Sequence, residues 1–188
     1  MALSGNFLQH VTELPQKMEA LLALLEGTYE YEQTPVCARP MPEQPPALWM
    51  LGTNRKSAEY AAQYSTGYVF GQFMSEQQTE EMLSIYRSSF QPSTRMDKPR
   101  TMVAVGAVCA STDELAQQWA AQISLGDPAI RASWLVGTPS VIAERLRSLQ
   151  VKYDNDEFLL VTPIPDYEQR LHSYRLIAEA VNGSLDSK

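Results

Sequence analysis

Short apolar runs alternate along the chain with segments whose apolar residues recur at helical spacing. Four runs are dominated by apolar residues, as in strands buried on both faces of a parallel sheet; they cover residues 47–51, 68–73, 101–110 and 157–162. Helical spacing predicts helices over 57–64, 79–90, from about 113 onward, 138–149 and 167–181. This alternation predicts a parallel sheet covered by helices.

Residues typical of helix starts stand where these helices are expected to begin. Thr79, Thr138 and either Ser111 or Thr112 are predicted N-caps, because their hydroxyls can accept a hydrogen bond from a first-turn N–H group. The short segment 134–137, just before Thr138, is apolar but brief, and it is predicted only as a link between elements.

The amino-terminal part has a different pattern. Leucines and a methionine at helical spacing predict a helix over Leu14–Leu25, with Pro15 in its first turn and Gly27 as a stop. Residues 29–46 contain five prolines and predict an irregular connecting loop. We therefore expect one domain, residues 1–188, made of an N-terminal helix (1–28), this loop (29–46), a strand–helix unit (47–181) and a tail (182–188).

The segment after the first strand carries the most informative chemistry. Gly52 ends the apolar run and is followed by Thr53, Asn54, Arg55, Lys56, Ser57 and Ala58, with a helix beginning near Ser57. A helix start offers unpaired N–H groups and a positive dipole end, and short polar and basic side chains add donors for a phosphate. The same residues also fit a simple helix cap, in which Ser57 serves only its own helix. The pattern alone leaves both interpretations open.

Composition narrows the class of protein. The 188 residues carry a net charge of −7, which disfavours nucleic-acid binding, and no apolar run approaches the ~20 residues of a membrane span. Two cysteines, Cys37 and Cys109, are expected as reduced thiols in a cytoplasmic protein. With only two histidines, His10 and His172, a histidine-based metal site is not expected.

The segment 51–73 resembles the region after the fifth strand of bacterial-luciferase-like flavin-dependent monooxygenases. Leu51-Gly52-Thr53-Asn54, then Ser57-Ala58, Ala61-Ala62 and the aromatic strand 68–73 follow that family's order. Further matches are the strand 103–110 with Thr112-Asp113-Glu114, the Leu135-Val136-Gly137-Thr138-Pro139 helix start, the strand 157–163 and the terminal helix 167–180. The resemblance covers about residues 6–181.

The resemblance implies a fold, a cofactor and a set of binding residues. The fold would be the carboxyl-terminal half of a (β/α)8 TIM barrel, about four parallel strands with helices. The cofactor would be FMN, reduced by a separate flavin reductase, and the reaction an oxidation of a small organic substrate that the sequence does not identify. The phosphate of FMN would be held by Gly52, Thr53, Asn54, Lys56, Ser57 and Ala58, with Arg55 as a further helper.

The chain also departs from the family pattern. The family's first four strands have no counterpart here, nor does the Glu-His-His segment that carries its active-site histidine, and neither His10 nor His172 matches that position. A catalytic residue is therefore not assigned. The alternative to an enzyme is a non-catalytic FMN-binding flavoprotein, or an inactive remnant of an interrupted gene.

Other prominent residues have simpler interpretations. The aromatic residues of the second strand, Tyr68, Phe70 and Phe73, are expected in the core rather than stacked on flavin, and Trp119 and Trp134 are expected in the core or at an interface.

Acidic residues cluster just before the last strand. Asp154, Asp156 and Glu157 are expected to form a solvated turn rather than a metal site.

A half-barrel has two unpaired edges, here the strands 47–51 and 157–162, and both are apolar. We therefore expect a homodimer. Either the edges of two copies pair, or the 14–25 helix and the proline-rich loop cover an edge while helices of two copies pack together.

Overall fold

The computed structural model describes residues 12–40, 42–124 and 127–182, and they fall into two compact units divided between Leu48 and Trp49. The first unit contains helix α1, Leu14–Glu26, which ends as expected at Gly27 in the left-handed conformation with φ 70°. His10 lies outside the described residues.

The prediction of a wholly irregular proline-rich loop was wrong for six residues. Strands β1 (Glu30–Tyr31) and β2 (Thr34–Pro35) form a short antiparallel hairpin. Glu32 and Gln33 connect them with positive φ angles of 48° and 65°. Two consecutive positive φ angles are typical of tight hairpin turns, but these turns usually carry Asn or Gly, so Glu32-Gln33 does not indicate a turn.

The second unit is a parallel sheet with helices between its strands. Its elements, in chain order, are β3 (Trp49–Gly52), α2 (Arg55–Gln63), β4 (Gly67–Gly71), a 3-10 turn (Gln72–Met74), α3 (Thr79–Ser89), β5 (Thr101–Cys109), α4 (Asp113–Ala121), α5 (Pro128–Arg131), β6 (Leu135–Gly137), α6 (Pro139–Tyr153), β7 (Phe158–Val161) and α7 (Tyr167–Asn182).

The long strand β5 organises this sheet. β4 lies between β3 and β5, while β7 pairs with Val103–Gly106 and β6 with Ala107–Cys109, and all these pairs are parallel. The four predicted strands are therefore present and mutually parallel, and the predicted α/β architecture of a partial barrel is confirmed. Among the described residues, β3 pairs only with β4, and β7 only with β5.

Two apolar clusters hold the unit together. Alternate residues of β4 and β5, among them Tyr68, Phe70 and Val103, pack against α2, α3, α6 and α7 and are fully buried. A second cluster contains the nearly buried Trp119 and Trp134. The core interpretation of Tyr68, Phe70 and the two tryptophans is therefore confirmed; Phe73 packs at the border of the second cluster.

Several boundaries differ from the prediction. β4 ends at Gly71, whose φ of −84° and ψ of 67° turn the chain into the 3-10 turn, so Phe73 is not in the strand. Segment 135–137 is not a link but strand β6, which is too short for its pattern to be recognised. Helix α6 continues to Tyr153 and stops at Asp154, which has a positive φ of 47°.

The N-cap predictions were partly right. Thr112 caps α4 through a hydrogen bond from the N–H of Leu115, and Thr138 is at the N-cap of α6 without a side-chain cap bond. The prediction of Thr79 as an N-cap was wrong, because Gln78 occupies the N-cap of α3 and Thr79 is the first residue of that helix. The first-turn acids of α3 favour this start through the helix dipole instead.

Candidate functional site

The predicted phosphate loop connects the carboxyl end of β3 to the amino terminus of α2. Helix α2 begins two residues earlier than expected, with Asn54 as its N-cap. Asn54 Oδ1 accepts the N–H of Ser57 at 3.0 Å, and Ser57 Oγ accepts the N–H of Asn54 at 3.3 Å. This reciprocal pair is a capping box, so Ser57 caps its helix from the third helical position.

Gly52 is needed because the Ser57 side chain lies against its α-carbon. A β-carbon on Gly52 would stand 2.1 Å from Ser57 Oγ and 2.2 Å from Ser57 Cβ, far inside contact distance. On the helix side, the small Ala58 is fully buried. The two small residues therefore let strand and helix approach closely around the Ser57 hydroxyl.

The first turn of α2 leaves backbone donors unused. The capping box satisfies the N–H groups of Asn54 and Ser57, and the N–H of Ala58 donates to the Asn54 carbonyl at 3.2 Å. Among the described residues, the N–H groups of Arg55 and Lys56 have no acceptor. Helix starts with free N–H donors at the positive end of the helix dipole are places where anions commonly bind in proteins.

The two basic side chains differ in their partners. Arg55 is paired with Glu59 at 3.4 Å and with Glu81 at 3.9 Å. Lys56 Nζ lies 5.5 Å from the centre of the Tyr60 ring, and no carboxylate in the described ranges lies within ion-pair distance of it. Lys56 is therefore the more available cation for an added anion.

The remaining predicted residue, Thr53, is tied to the end of the neighbouring strand. Its carbonyl accepts a hydrogen bond from Ser75 Oγ at 3.3 Å, and its methyl group lies beside Gly71. The structure thus brings the six predicted binding residues together within one loop and one helical turn. Whether they bind phosphate is a prediction that the geometry alone does not test.

Sequence reasoning missed Tyr68 as a member of this group. Tyr68 lies on β4, is fully buried, and its hydroxyl is 3.5 Å from Ser57 Oγ. Burial raises the pKa of Tyr68, and the contact with Ser57 offsets only part of that rise. The alternation of Tyr68 and Phe70 along the strand was readable from the sequence, but the approach of Tyr68 to the loop depends on the pairing of β3 with β4.

A cavity of about 550 Å³ lies elsewhere, beside the 3-10 turn, the start of α3, α5 and the end of α6. Gln72 Nε2 donates to the Tyr153 hydroxyl at 3.2 Å, and Gln72 Oε1 is buried without a partner. None of the six predicted binding residues lines this cavity. This cavity is therefore separate from the loop.

The remaining sequence candidates lie at the surface. Asp154 and Asp156 are exposed near a turn, and the described residues contain no cluster of three or more His, Cys, Asp or Glu side chains placed to hold a metal ion. His172 is exposed and its ring lies edge-on to Trp119, 6.1 Å away. Of the helices in the described ranges, none has the length and hydrophobicity needed to cross a bilayer.

Two curated relatives show how far the similarity extends. The uncharacterized protein YceB of Bacillus subtilis (strain 168) is 26% identical, and the match covers 95% of this chain and 64% of YceB. A luciferase-like monooxygenase of Escherichia coli (strain K12) is 27% identical, over 69% of this chain and 48% of its own length. This chain therefore spans about half to two thirds of the length of these relatives.

Solved structures agree on the fold. The crystal structure of apo-MsnO8 superposes with a TM-score of 0.77 at 27% identity, over 91% of this chain and 60% of that protein. A type II Baeyer–Villiger monooxygenase, the oxygenating constituent of 3,6-diketocamphane monooxygenase of Pseudomonas putida in complex with FMN, superposes with a TM-score of 0.59 over 94% of this chain and 63% of that one. At 15% identity, this second likeness concerns the fold alone.

The family assignment rests on the sequence as well as the fold. The sequence model of the family described as luciferase-like monooxygenase matches residues 7–128, about two thirds of the chain. The resemblance noted in the order and spacing of the motifs is thereby confirmed, and this chain belongs to the luciferase-like monooxygenase family.

Proposed function

We propose that this chain is the flavin-phosphate-binding part of a luciferase-like monooxygenase, with FMN as its cofactor. The observation that carries the proposal is the pair of free N–H groups of Arg55 and Lys56. They stand at the start of α2, just after a parallel strand, and the Lys56 ammonium has no carboxylate partner within the described ranges. Ligands of open and closed parallel sheets bind at this end of the strands.

The residues present fit a phosphate monoester. The free N–H groups and the Lys56 ammonium would neutralise and orient its oxygens, and the hydroxyls of Thr53 and Ser57 would add donors. Gly52 keeps the strand end close to the helix, since any β-carbon there would occupy the place of Ser57 Oγ. The paired Arg55 would contribute less, because Glu59 and Glu81 already compete for its charge.

When bound in its reduced form, FMN supplies the electrons that activate oxygen, and a flavin reductase would deliver it in that form. This chain's contribution would be to hold the phosphate and so fix the position of the ring system. FMN is also the ligand of the structurally similar Pseudomonas putida monooxygenase, which supports this choice of flavin. The small organic substrate and the catalytic residue are not assigned.

A non-catalytic flavoprotein is the second candidate. It would use the same loop, since the N–H groups of Arg55 and Lys56 at the start of α2 would hold the phosphate of FMN whether or not a substrate is oxidised. A store of FMN would retain the oxidised form, whereas an enzyme supplied by a reductase would bind the reduced form more tightly. Anaerobic titration with oxidised and with reduced FMN distinguishes the two.

We further propose that the chain associates through the open edges of its sheet. Leu51 on β3 is 54% exposed and Leu159 on β7 is 47% exposed. Each of these strands has one neighbouring strand among the described residues, so its other edge offers unpaired backbone groups. A homodimer that pairs these edges would bury both the backbone groups and the leucines.

The cofactor proposal is tested by gel filtration of the chain after mixing with FMN, followed by an absorption spectrum of the protein peak. Calorimetry then compares the chain with the variant Thr53→Ala/Ser57→Ala. Loss of two hydroxyl donors should weaken FMN binding by about 1–3 kcal/mol. Ser88→Ala is the control, since its exposed hydroxyl on α3 bonds only to the Ile85 carbonyl. Equal FMN affinity of the double variant and the parent chain would reject the assignment.

A further inference from the structure

The hydroxyl of Ser57 is fully engaged before any ligand arrives. It donates its one proton to the Asn54 carbonyl at 2.7 Å and accepts the Asn54 N–H at 3.3 Å. Its second acceptor position faces the Tyr68 hydroxyl at 3.5 Å. Because Ser57 has no second proton, Tyr68 must be the donor in this contact.

The proton of Ser57 is nevertheless easy to redirect. The Asn54 carbonyl that receives it also accepts the N–H of Ala58 at 3.2 Å. If Ser57 turns its proton toward an anion, this carbonyl keeps a hydrogen bond and is not left unsatisfied. The oxygen of Ser57 stays in place during that turn, since the Asn54 N–H and the Tyr68 hydroxyl both hold it.

The surroundings of Tyr68 fix the position of its hydroxyl and keep it protonated. Its side chain is fully buried, and its ring packs 5.4 Å from the ring of Tyr86. Burial raises the pKa of Tyr68, so the hydroxyl keeps its proton at neutral pH. Within the described part of the chain, Ser57 Oγ is the hydrogen-bond partner of this hydroxyl.

The hydroxyl of the neighbouring Tyr86 has different hydrogen-bond partners. Its hydroxyl donates to the Thr66 carbonyl at 2.8 Å and accepts the N–H of Arg100 at 3.1 Å. It therefore ties the loop before β4 to the start of β5 and does not contact the phosphate loop. Two buried tyrosines, side by side, thus differ in whether their hydroxyls reach Ser57.

We infer that Tyr68 is a positioning residue for flavin phosphate, acting through Ser57. This inference rests on the proposed function. The Tyr68 hydroxyl holds Ser57 Oγ as an acceptor, which leaves the Ser57 proton to be donated to a phosphate oxygen. Hydrogen bonds in such a chain strengthen one another, so the 3.5 Å contact should tighten when Ser57 donates to an anion.

The test compares FMN with riboflavin, which has the same ring system and no phosphate. Tyr68→Phe removes one oxygen and keeps the ring, and it should lower the FMN-to-riboflavin affinity ratio about threefold to tenfold. Tyr86→Phe is the matched control and should leave that ratio unchanged while lowering the thermal midpoint. In a Ser57→Ala background, Tyr68→Phe should have no further effect on the ratio.

The outcomes are distinguishable. If the parent chain prefers FMN and Tyr68→Phe leaves the ratio unchanged, or weakens both flavins equally, the inference is overturned while the proposed function stands. If the parent chain binds FMN no more tightly than riboflavin, the proposed function fails and the inference with it. Should Tyr68→Phe not fold, fluorotyrosine placed only at Tyr68 gives a more acidic donor and should raise the ratio; an unchanged ratio would also overturn the inference.

Discussion

Replacing Gly52 with alanine places a methyl group where the Ser57 side chain lies. The new β-carbon would stand 2.1 Å from Ser57 Oγ and 2.2 Å from Ser57 Cβ. Rotation of the Ser57 side chain would not relieve the overlap, because its β-carbon would stay 2.2 Å from the new β-carbon. The strand end and the helix start must therefore move apart, and the capping box is strained or lost.

The size of the effect follows from these contacts. Overpacking of this kind costs about 1–3 kcal/mol, and for a chain of this length each kcal/mol lowers the thermal midpoint by about 2–4 °C. We expect a fall of about 2–12 °C in thermal unfolding followed by circular dichroism. Because the movement displaces the first turn of α2, FMN affinity should fall about tenfold or more by calorimetry, while riboflavin affinity changes less.

Gly106→Ala is the matched control. A β-carbon there would meet the Trp134 ring at 2.3 Å, a comparable overlap, but on β5 and away from the loop. This variant should lose stability and keep the FMN-to-riboflavin affinity ratio. The reasoning is refuted if Gly52→Ala unfolds and binds FMN like the parent chain, or if both glycine variants change the ratio to the same extent.

Three further predictions concern other residues. Lys56→Ala should weaken FMN binding about threefold to tenfold at low ionic strength. Arg55→Ala should weaken it less, because Arg55 is already paired with carboxylates. Equal losses of FMN affinity in calorimetry would contradict this prediction. Leu159→Lys should shift a dimer toward the monomer, because a charge on the exposed face of β7 opposes edge pairing. Light scattering behind a sizing column measures the mass, and either an unchanged mass or a parent chain that is already a monomer would contradict this prediction. A thiol reagent at pH 8 should label exposed Cys37 and spare Cys109, whose pKa burial raises to about 11; equal labelling rates in the folded chain would show that Cys109 is accessible.

The strand–helix alternation was predictable because long buried strands leave apolar runs that no other element explains. β5 is nine residues long and nearly all of it is buried, so its pattern is clear. β6 has only three residues, and its place in the sheet depends on pairing with the carboxyl end of β5. That pairing is a tertiary contact which the local sequence does not encode.

The residues that make up the candidate site could be predicted from the sequence, but the hydrogen bonds between them could not. Asn54 and Ser57 are both good capping residues, and the helix predicted to begin near Ser57 begins two residues earlier, at Arg55. The structure assigns the N-cap to Asn54 and gives Ser57 the reciprocal role. The sequence predicted Tyr68 only as a core residue, because it alternates with Phe70 on a buried strand, whereas its hydroxyl contact with Ser57 joins β4 to helix α2.

Binding of the flavin phosphate at the start of α2 can be observed residue by residue in amide NMR spectra of the isotope-labelled chain. Titration with FMN should shift the amide signals of Arg55 and Lys56 strongly, because their N–H groups are the free donors, and riboflavin should shift them little. Binding at this position is contradicted if FMN and riboflavin move these two signals equally, or if the shifts that depend on phosphate fall instead on residues around Gln72 and Tyr153 in the separate cavity.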